Sequence, residues 1–268
     1  MISDMKEFNT LIFQKTEDGV GIVTMNRPEQ LNATNIEMIE DFDDLFKGLS
    51  TDDSIRVLII TGKGRGFSAG ADIKDAVTYK DSDAFSNPET FIHAVQERYA
   101  SLILGLRKIP QPVIAAVNGP AAGGGFCMAL ASDIRLACPK AYFVASFINI
   151  GLSGGELGSS YLLPRLVGLS RTSDILYTGR KVWADEAEKI GLVSKVVPKE
   201  ELIETAISYA RMMLAKSTGG LKLTKRVLDQ NIDAPSLDAA INLENRNQTI
   251  MVFSKEFFNL VGAFAKES

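Results

Sequence analysis

Residues 112–137 read PVIAAVNGPAAGGGFCMALASDIRLA. The first part, VIAAV, is a short uncharged run of the kind that forms a strand buried on both faces. The following NGPAAGGG is a glycine-rich exit, and GFCMALA continues as a short apolar helix ending near residue 131. A second short strand is expected at 134–137 and a third near 141–144. A buried strand, a glycine exit and a helix in this order point to α/β architecture.

Upstream, residues 57–61 repeat the theme. A buried strand runs into the loop TGKGRGFSAGADI, with Gly62, Gly64, Gly66 and Gly70. Neither glycine cluster matches the phosphate-binding GxxxxGK[ST] pattern or a GxGxxG that opens a helix. The two exits together have another use. Without side chains in the way, two backbone N–H groups can approach one ligand oxygen, and that pairing stabilises an oxyanion.

The rest of the chain fits the same architecture. Two strands are expected at about 10–15 and 19–25, joined by a hairpin at Asp18-Gly19. A helix follows, with Thr34 as cap, Glu37 at capping-box spacing, and Ile36, Ile39, Phe42, Leu45, Phe46 and Leu49 on its apolar face. Residues 75–89 are polar and broken, and a mobile segment is expected there. Phe91, Val95, Tyr99, Leu102 and Leu106 mark one side of a long helix that Pro110 and Pro112 terminate. From 156 onward the pattern is mainly helical, with one strand expected in LVSKVV at 192–197. Phe253, Phe257, Phe258, Leu260 and Phe264 make the last helix unusually apolar, which is explained most simply by packing against another subunit.

With 268 residues, the chain has ample length for a self-sufficient core. Its 46% hydrophobic and 23% charged residues exclude a largely disordered chain. A net charge of −4 argues against broad nucleic-acid binding. Its two cysteines, Cys127 and Cys138, suit a reducing compartment, and a cytoplasmic location is expected. The longest apolar runs fall far short of the roughly 20 residues that span a bilayer, so no membrane partner is expected. A single histidine, His93, rules out a multi-histidine metal centre, and its place on the helix predicts surface exposure.

Several stretches carry a specific resemblance: NRPEQLNA at 26–33, ITGKGRGFSAGADIK at 60–74, the quoted segment 112–137, GLSGGELGSSYLLPRLVG at 151–168 and YTGR at 177–180. Across nearly its whole length the chain resembles the enoyl-CoA hydratase/isomerase, or crotonase, family. That resemblance implies an α/β spiral of ββα units over residues 1–198, with a helical oligomerisation region at 199–268. It implies an acyl-CoA thioester ligand, a homotrimer or homohexamer, and no redox or metal cofactor, coenzyme A being part of the substrate. It places Ala71 and Gly124 as the two oxyanion N–H donors. It also places Arg27, Ala69, Ala71, Asp72, Ile73 and Gly124 around the coenzyme A portion.

The resemblance departs from its pattern at two positions. Where hydratases of the family carry two glutamates, this chain has Cys127 and Phe147. A phenyl ring transfers no proton, and Cys127 lies in an apolar helix, where a cysteine usually acts as a small buried hydrophobe. Glu156, in SGGELG, is the nearby acid and the candidate acid–base group. Asp72 is expected to organise its loop and Asp133 to fix the end of the central helix, while Tyr142 and Ser146 are further candidates to face the pocket. The expected activity is hydration or double-bond isomerisation of an acyl-CoA through one carboxylate. The alternatives are a hydrolase or lyase of the same superfamily, or an acyl-CoA-binding homologue without chemistry.

Overall fold

Every residue of β5 (Val113–Val117) is buried, as its unbroken apolar sequence dictates. A computed structural model describes residues 2–72 and 83–267 and places β5 inside a seven-stranded sheet of order β1-β2-β3-β4-β5-β7-β10. The first three strands, β1 (Ile2–Glu7), β2 (Leu11–Thr16) and β3 (Val20–Met25), form an antiparallel meander. β3 then pairs in parallel with β4 (Val57–Gly62), and β4 with β5. β7 (Ile134–Ala137) and the two-residue β10 (Lys195–Val196) complete the parallel half. A second sheet joins β6 (Ala121–Ala122), β8 (Tyr142–Val144) and β9 (Val182–Trp183) in the order β6-β8-β9.

The helices follow from their apolar spacing. α1 (Ile36–Thr51) buries Met38, Ile39, Phe42, Leu45, Phe46 and Leu49. Full burial of each such side chain is worth about 1.5–3 kcal/mol, so this face alone secures the helix. A broken helix runs from α2 (Pro88–Phe91) through one π turn at Ile92–Gln96 into α3 (Glu97–Lys108). α4 (Gly124–Ala131) is buried along its entire length. The C-terminal half contributes α5 (Ser159–Val167), α6 (Leu169–Thr178), α7 (Ala184–Lys189) and α8 (Leu202–Leu214). The chain finishes with α9 (Thr218–Asn231), α10 (Leu237–Val252) and α11 (Lys255–Glu267). The expected mixed α/β spiral with trailing helices is therefore the observed fold.

Several local expectations are corrected. The cap of α1 is Asn35, whose side chain accepts from Met38 N at 3.0 Å, and not Thr34. Thr34 instead bridges to Ala71, so tertiary pairing claims it. β1 was not anticipated, because its sequence, ISDMKE, lacks a clear period-two pattern. The strand expected over 192–197 shrinks to Lys195–Val196. Of the segment expected to be mobile, residues 75–82 lie outside the described residues; the remainder holds a short turn at Asp83–Phe85 and the start of α2.

Candidate active site at the start of the central helix

β5 delivers the chain to α4, and Gly123 makes the turn. Its φ of +51° lies where side-chain-bearing residues are strained, and its N–H is held by Val144 O at 2.9 Å. The N–H of Gly124 then stands in the first turn of α4, where no intrahelical acceptor exists. Helix-end partial positive charge collects at the same place.

The second glycine loop is brought to this helix end. Thr34 N donates to Gly70 O at 2.7 Å, and Asp72 N donates to Thr34 O at 2.9 Å. In a parallel bridge these flanking bonds leave the intervening residue, Ala71, with its own N–H directed away from Thr34. A Cβ on Gly124 would lie 3.8 Å from Gly70 Cα and 4.0 Å from Ala71 N. Gly70, with φ +87°, passes so close that a Cβ there would meet Ala122 O at 2.7 Å and Gly124 N at 3.0 Å. Among the described residues, neither Ala71 N–H nor Gly124 N–H donates a hydrogen bond.

Two buried asparagines shape the loop that carries Ala71. Asn32 accepts from Arg27 N at 2.9 Å and donates to Lys63 O and Gly66 O at 3.0 and 2.9 Å. Asn118 accepts from Gly62 N at 3.1 Å and donates to Gly64 O and Gly66 O, each at 3.2 Å. Asp72 is 8% exposed and forms an ion pair with Arg27 at 2.9 Å. Arg27 also donates to Ala33 O. Asp72 thus ties the end of its loop to Arg27. The Arg27 guanidinium, expected near the coenzyme A phosphates, is engaged within the protein itself. Ala69 N is held by Leu31 O at 3.0 Å, and Ile73 lies outside the described residues.

Glu156 sits over the first turns of α4. Its carbonyl accepts from the Cys127 thiol at 3.4 Å and from Ser159 N at 2.9 Å, and its N–H donates to Ser159 Oγ at 3.0 Å. The half-buried carboxylate receives a hydrogen bond from Gln96 Nε2 at 3.1 Å. Leu157 adopts φ +47°, strained for a leucine, and its Cδ1 would stand 3.7 Å from a Cβ on Gly124. The Phe147 ring and Ser146 Oγ flank Gly123, the hydroxyl 2.9 Å from where a Cβ would be. Ala71, Gly124, Glu156 and Phe147 are thus neighbours around one end of α4.

Burial, and secondly the nearby Glu156 carboxylate, push the Cys127 thiol far above the ordinary thiol range. It stays protonated and acts as a buried anchor for the Glu156 backbone. His93 is exposed and pairs with Glu97 at 3.1 Å, as a surface residue would. Asp133 accepts from Val113 N at 2.8 Å and from Arg107 at 3.2 Å, fixing the far end of α4. Among the described residues, no three His, Cys, Asp or Glu side chains cluster as a metal site, and no helix is long and apolar enough to cross a membrane.

Sequence reasoning did not single out Gln96, Leu157, Asn32 or Asn118. The asparagines could have been suspected, since each lies beside a glycine exit or turn. Nothing in the sequence joins Gln96 to an acid 60 residues later.

Comparison with known proteins extends these observations. The profile of the family described as enoyl-CoA hydratase/isomerase matches residues 15–265. A probable enoyl-CoA hydratase of Mycobacterium tuberculosis is 45% identical over 246 residues, covering 91% of this chain and 86% of that protein. The 1,2-epoxyphenylacetyl-CoA isomerase of Escherichia coli K12 is 37% identical over 265 residues, 98% of each chain. The crystal structure of a probable enoyl-CoA hydratase/isomerase from Mycobacterium abscessus superposes with a TM-score of 0.87 at 39% identity, covering 97% of this chain and 96% of that one.

Proposed function

The chain belongs to the enoyl-CoA hydratase/isomerase family, and from that premise we propose that it moves a proton on an acyl-CoA thioester, with Glu156 as the single acid–base group. The observation that carries this reading is the meeting of two uncommitted N–H groups, Ala71 and Gly124, beside the Glu156 loop.

The chemistry follows from charge. Removing a proton from the carbon next to a thioester places negative charge on the thioester oxygen. Two N–H donors at a helix start stabilise that charge, and they do so more strongly where water is excluded. Glu156 takes the proton from one carbon and returns it to another, shifting the double bond. Gln96 holds one carboxylate oxygen while the other serves the substrate. Isomerisation needs only this one group. Hydration would also require an activated water, and the positions flanking the helix start hold Phe147 and Leu157 rather than a second acid. The Escherichia coli relative is named an isomerase of an epoxide and the Mycobacterium tuberculosis relative a probable hydratase, so the choice rests on the residues of the site.

On the coenzyme A side we propose that the backbone from Ala69 to Asp72 forms the binding edge, with Arg27 acting through Asp72 to keep that edge in place. We further propose that residues 199–268 mediate assembly into a trimer or hexamer. Support comes from the apolar groups left exposed there, including Ile250, Phe253 and Phe258 at 56%, 80% and 62%. Sedimentation at micromolar concentration checks the assembly; a stable monomer refutes it.

The test of the reaction uses paired thioesters. 3-Enoyl-CoA should convert to 2-enoyl-CoA. The 2-enoyl thioester should yield little 3-hydroxyacyl-CoA. Hydration faster than isomerisation across a range of chain lengths would overturn the isomerase reading.

A further inference from the structure

We infer that a cavity of about 800 Å³ between α3, α5 and α9 is a second ligand site, for an aliphatic carboxylate. It falls in the size range of small-molecule sites, and none of Ala71, Gly124 and Glu156 lines it.

The wall of this cavity has two parts. One is apolar: Leu104, Leu162, Leu223 and Ile232 line it, and Leu104 and Ile232 are 52% and 40% exposed. The other is basic, and its cations differ in how they are used. Arg107 is bound by Asp133 and Asp229. Lys225, nearly fully buried, donates to Leu106 O at 3.0 Å and Gln111 O at 2.8 Å and pairs with Asp133 at 3.2 Å. Lys222 pairs with Asp53. Lys108 and Arg226 also line the cavity, and among the described residues neither has a hydrogen bond or ion pair.

Two uncommitted cations beside an apolar wall stand out in a chain of net charge −4. Asp229, the acid that lines the cavity, is already paired with Arg107, and Lys225 is paired with Asp133 outside the lining, so no lining acid remains for Lys108 and Arg226. An alkyl chain removes the exposed leucine and isoleucine surface from water. A carboxylate head suits a guanidinium, which can hold both its oxygens, with an ammonium as the second cation. An uncharged alcohol of the same length would gain the first contribution and not the second.

The experiment is calorimetric titration of the intact oligomer with decanoate as the probe. Saturable binding at one site per chain is expected, with 1-decanol at least tenfold weaker. Lys108→Glu and Arg226→Glu should each weaken decanoate at least tenfold, and Lys108→Gln should give an intermediate loss. Both positions are exposed in the single chain, so the variants should keep the circular dichroism of the parent. Sedimentation checks the oligomer of Arg226→Glu, which lies in the region proposed for assembly, and Lys108→Glu, outside that region, carries the test if the oligomer changes. Saturating coenzyme A should leave decanoate binding unchanged, because the site is distinct from the thioester site. Absent binding, equal binding of decanol, unaltered affinity in both charge reversals, or displacement by coenzyme A would each overturn the assignment. None of these outcomes depends on whether Glu156 transfers a proton.

Discussion

Gln96 Nε2 donates to Glu156 Oε1 at 3.1 Å, joining the π turn before α3 to the loop before α5. π turns are uncommon and often mark functional positions. This one ends at the residue that orients the proposed acid–base group. Gln96→Leu removes one hydrogen bond to a charged group, worth about 1.5–3 kcal/mol. If that bond orients the carboxylate, kcat should fall roughly tenfold or more while acyl-CoA binding persists. An unchanged kcat with altered stability alone would make Gln96 a structural residue.

The glycines around α4 should respond unequally. Gly70 has φ +87°, and a Cβ would meet Ala122 O at 2.7 Å, so Gly70→Ala should cost at least about 1 kcal/mol of stability. Gly124 has no such conflict, since its nearest neighbour would be Leu157 Cδ1 at 3.7 Å. Gly124→Ala should therefore fold normally. Its methyl group would sit 4.0 Å from Ala71 N and should depress turnover by crowding the oxyanion position. Thermal unfolding and steady-state rates measured together separate the two effects.

Arg27 and Asp72 form a pair whose side chains are only 19% and 10% exposed. Truncating one partner leaves the other charge with little access to water. Asp72→Ala and Arg27→Ala should each destabilise by about 2–3 kcal/mol, and the double variant should be less destabilised than the sum. Additive losses would show that the pair is not what holds the Ala71 loop.

Much of this site is legible in the sequence where neighbours along the chain decide the outcome. β5, α4 and the hairpin at Asp18-Gly19 follow from apolar runs and turn residues. Two glycine exits predict a meeting of backbone N–H groups, and Ala71 and Gly124 do lie together. What was not legible depends on distant partners. Thr34 has good capping chemistry, but its pairing with Ala71 takes precedence and Asn35 caps instead. The strained φ of Leu157 and the contact of Gln96 with Glu156 arise from how α3, α4 and α5 converge, which no local pattern encodes.

Stability should carry an acid-sensitive contribution from Arg180, which bonds Asp174 at 2.6 and 2.9 Å and Glu186 at 2.6 and 2.8 Å. Hydrogen bonds from Arg180 are the main cause holding both carboxyls below their ordinary values of 3.8 and 4.5. A folded-state pKa lowered in this way stabilises the protein fully above those ordinary values. The contribution is lost as pH falls through the lowered ones. Both acids are more than a third exposed or close to it, so solvent screening limits the effect to about 1 kcal/mol. Arg180→Ala should lower the urea midpoint at pH 7 and leave it nearly unchanged near pH 2. Equal losses at both pH values would contradict this.

The central claim is that Glu156 moves the proton. Its direct test is exchange of the α-proton of a bound acyl-CoA with heavy water, compared between the parent and Glu156→Gln. The amide keeps the size of the side chain and the anchors at Cys127 and Ser159, which bind the Glu156 backbone. The oligomer and acyl-CoA affinity should be retained. Exchange and single-turnover isomerisation should both fall by about 10²–10⁴-fold, the usual scale for a positioned acid–base group. Exchange at the parent rate in Glu156→Gln would contradict the account and return the role to another group.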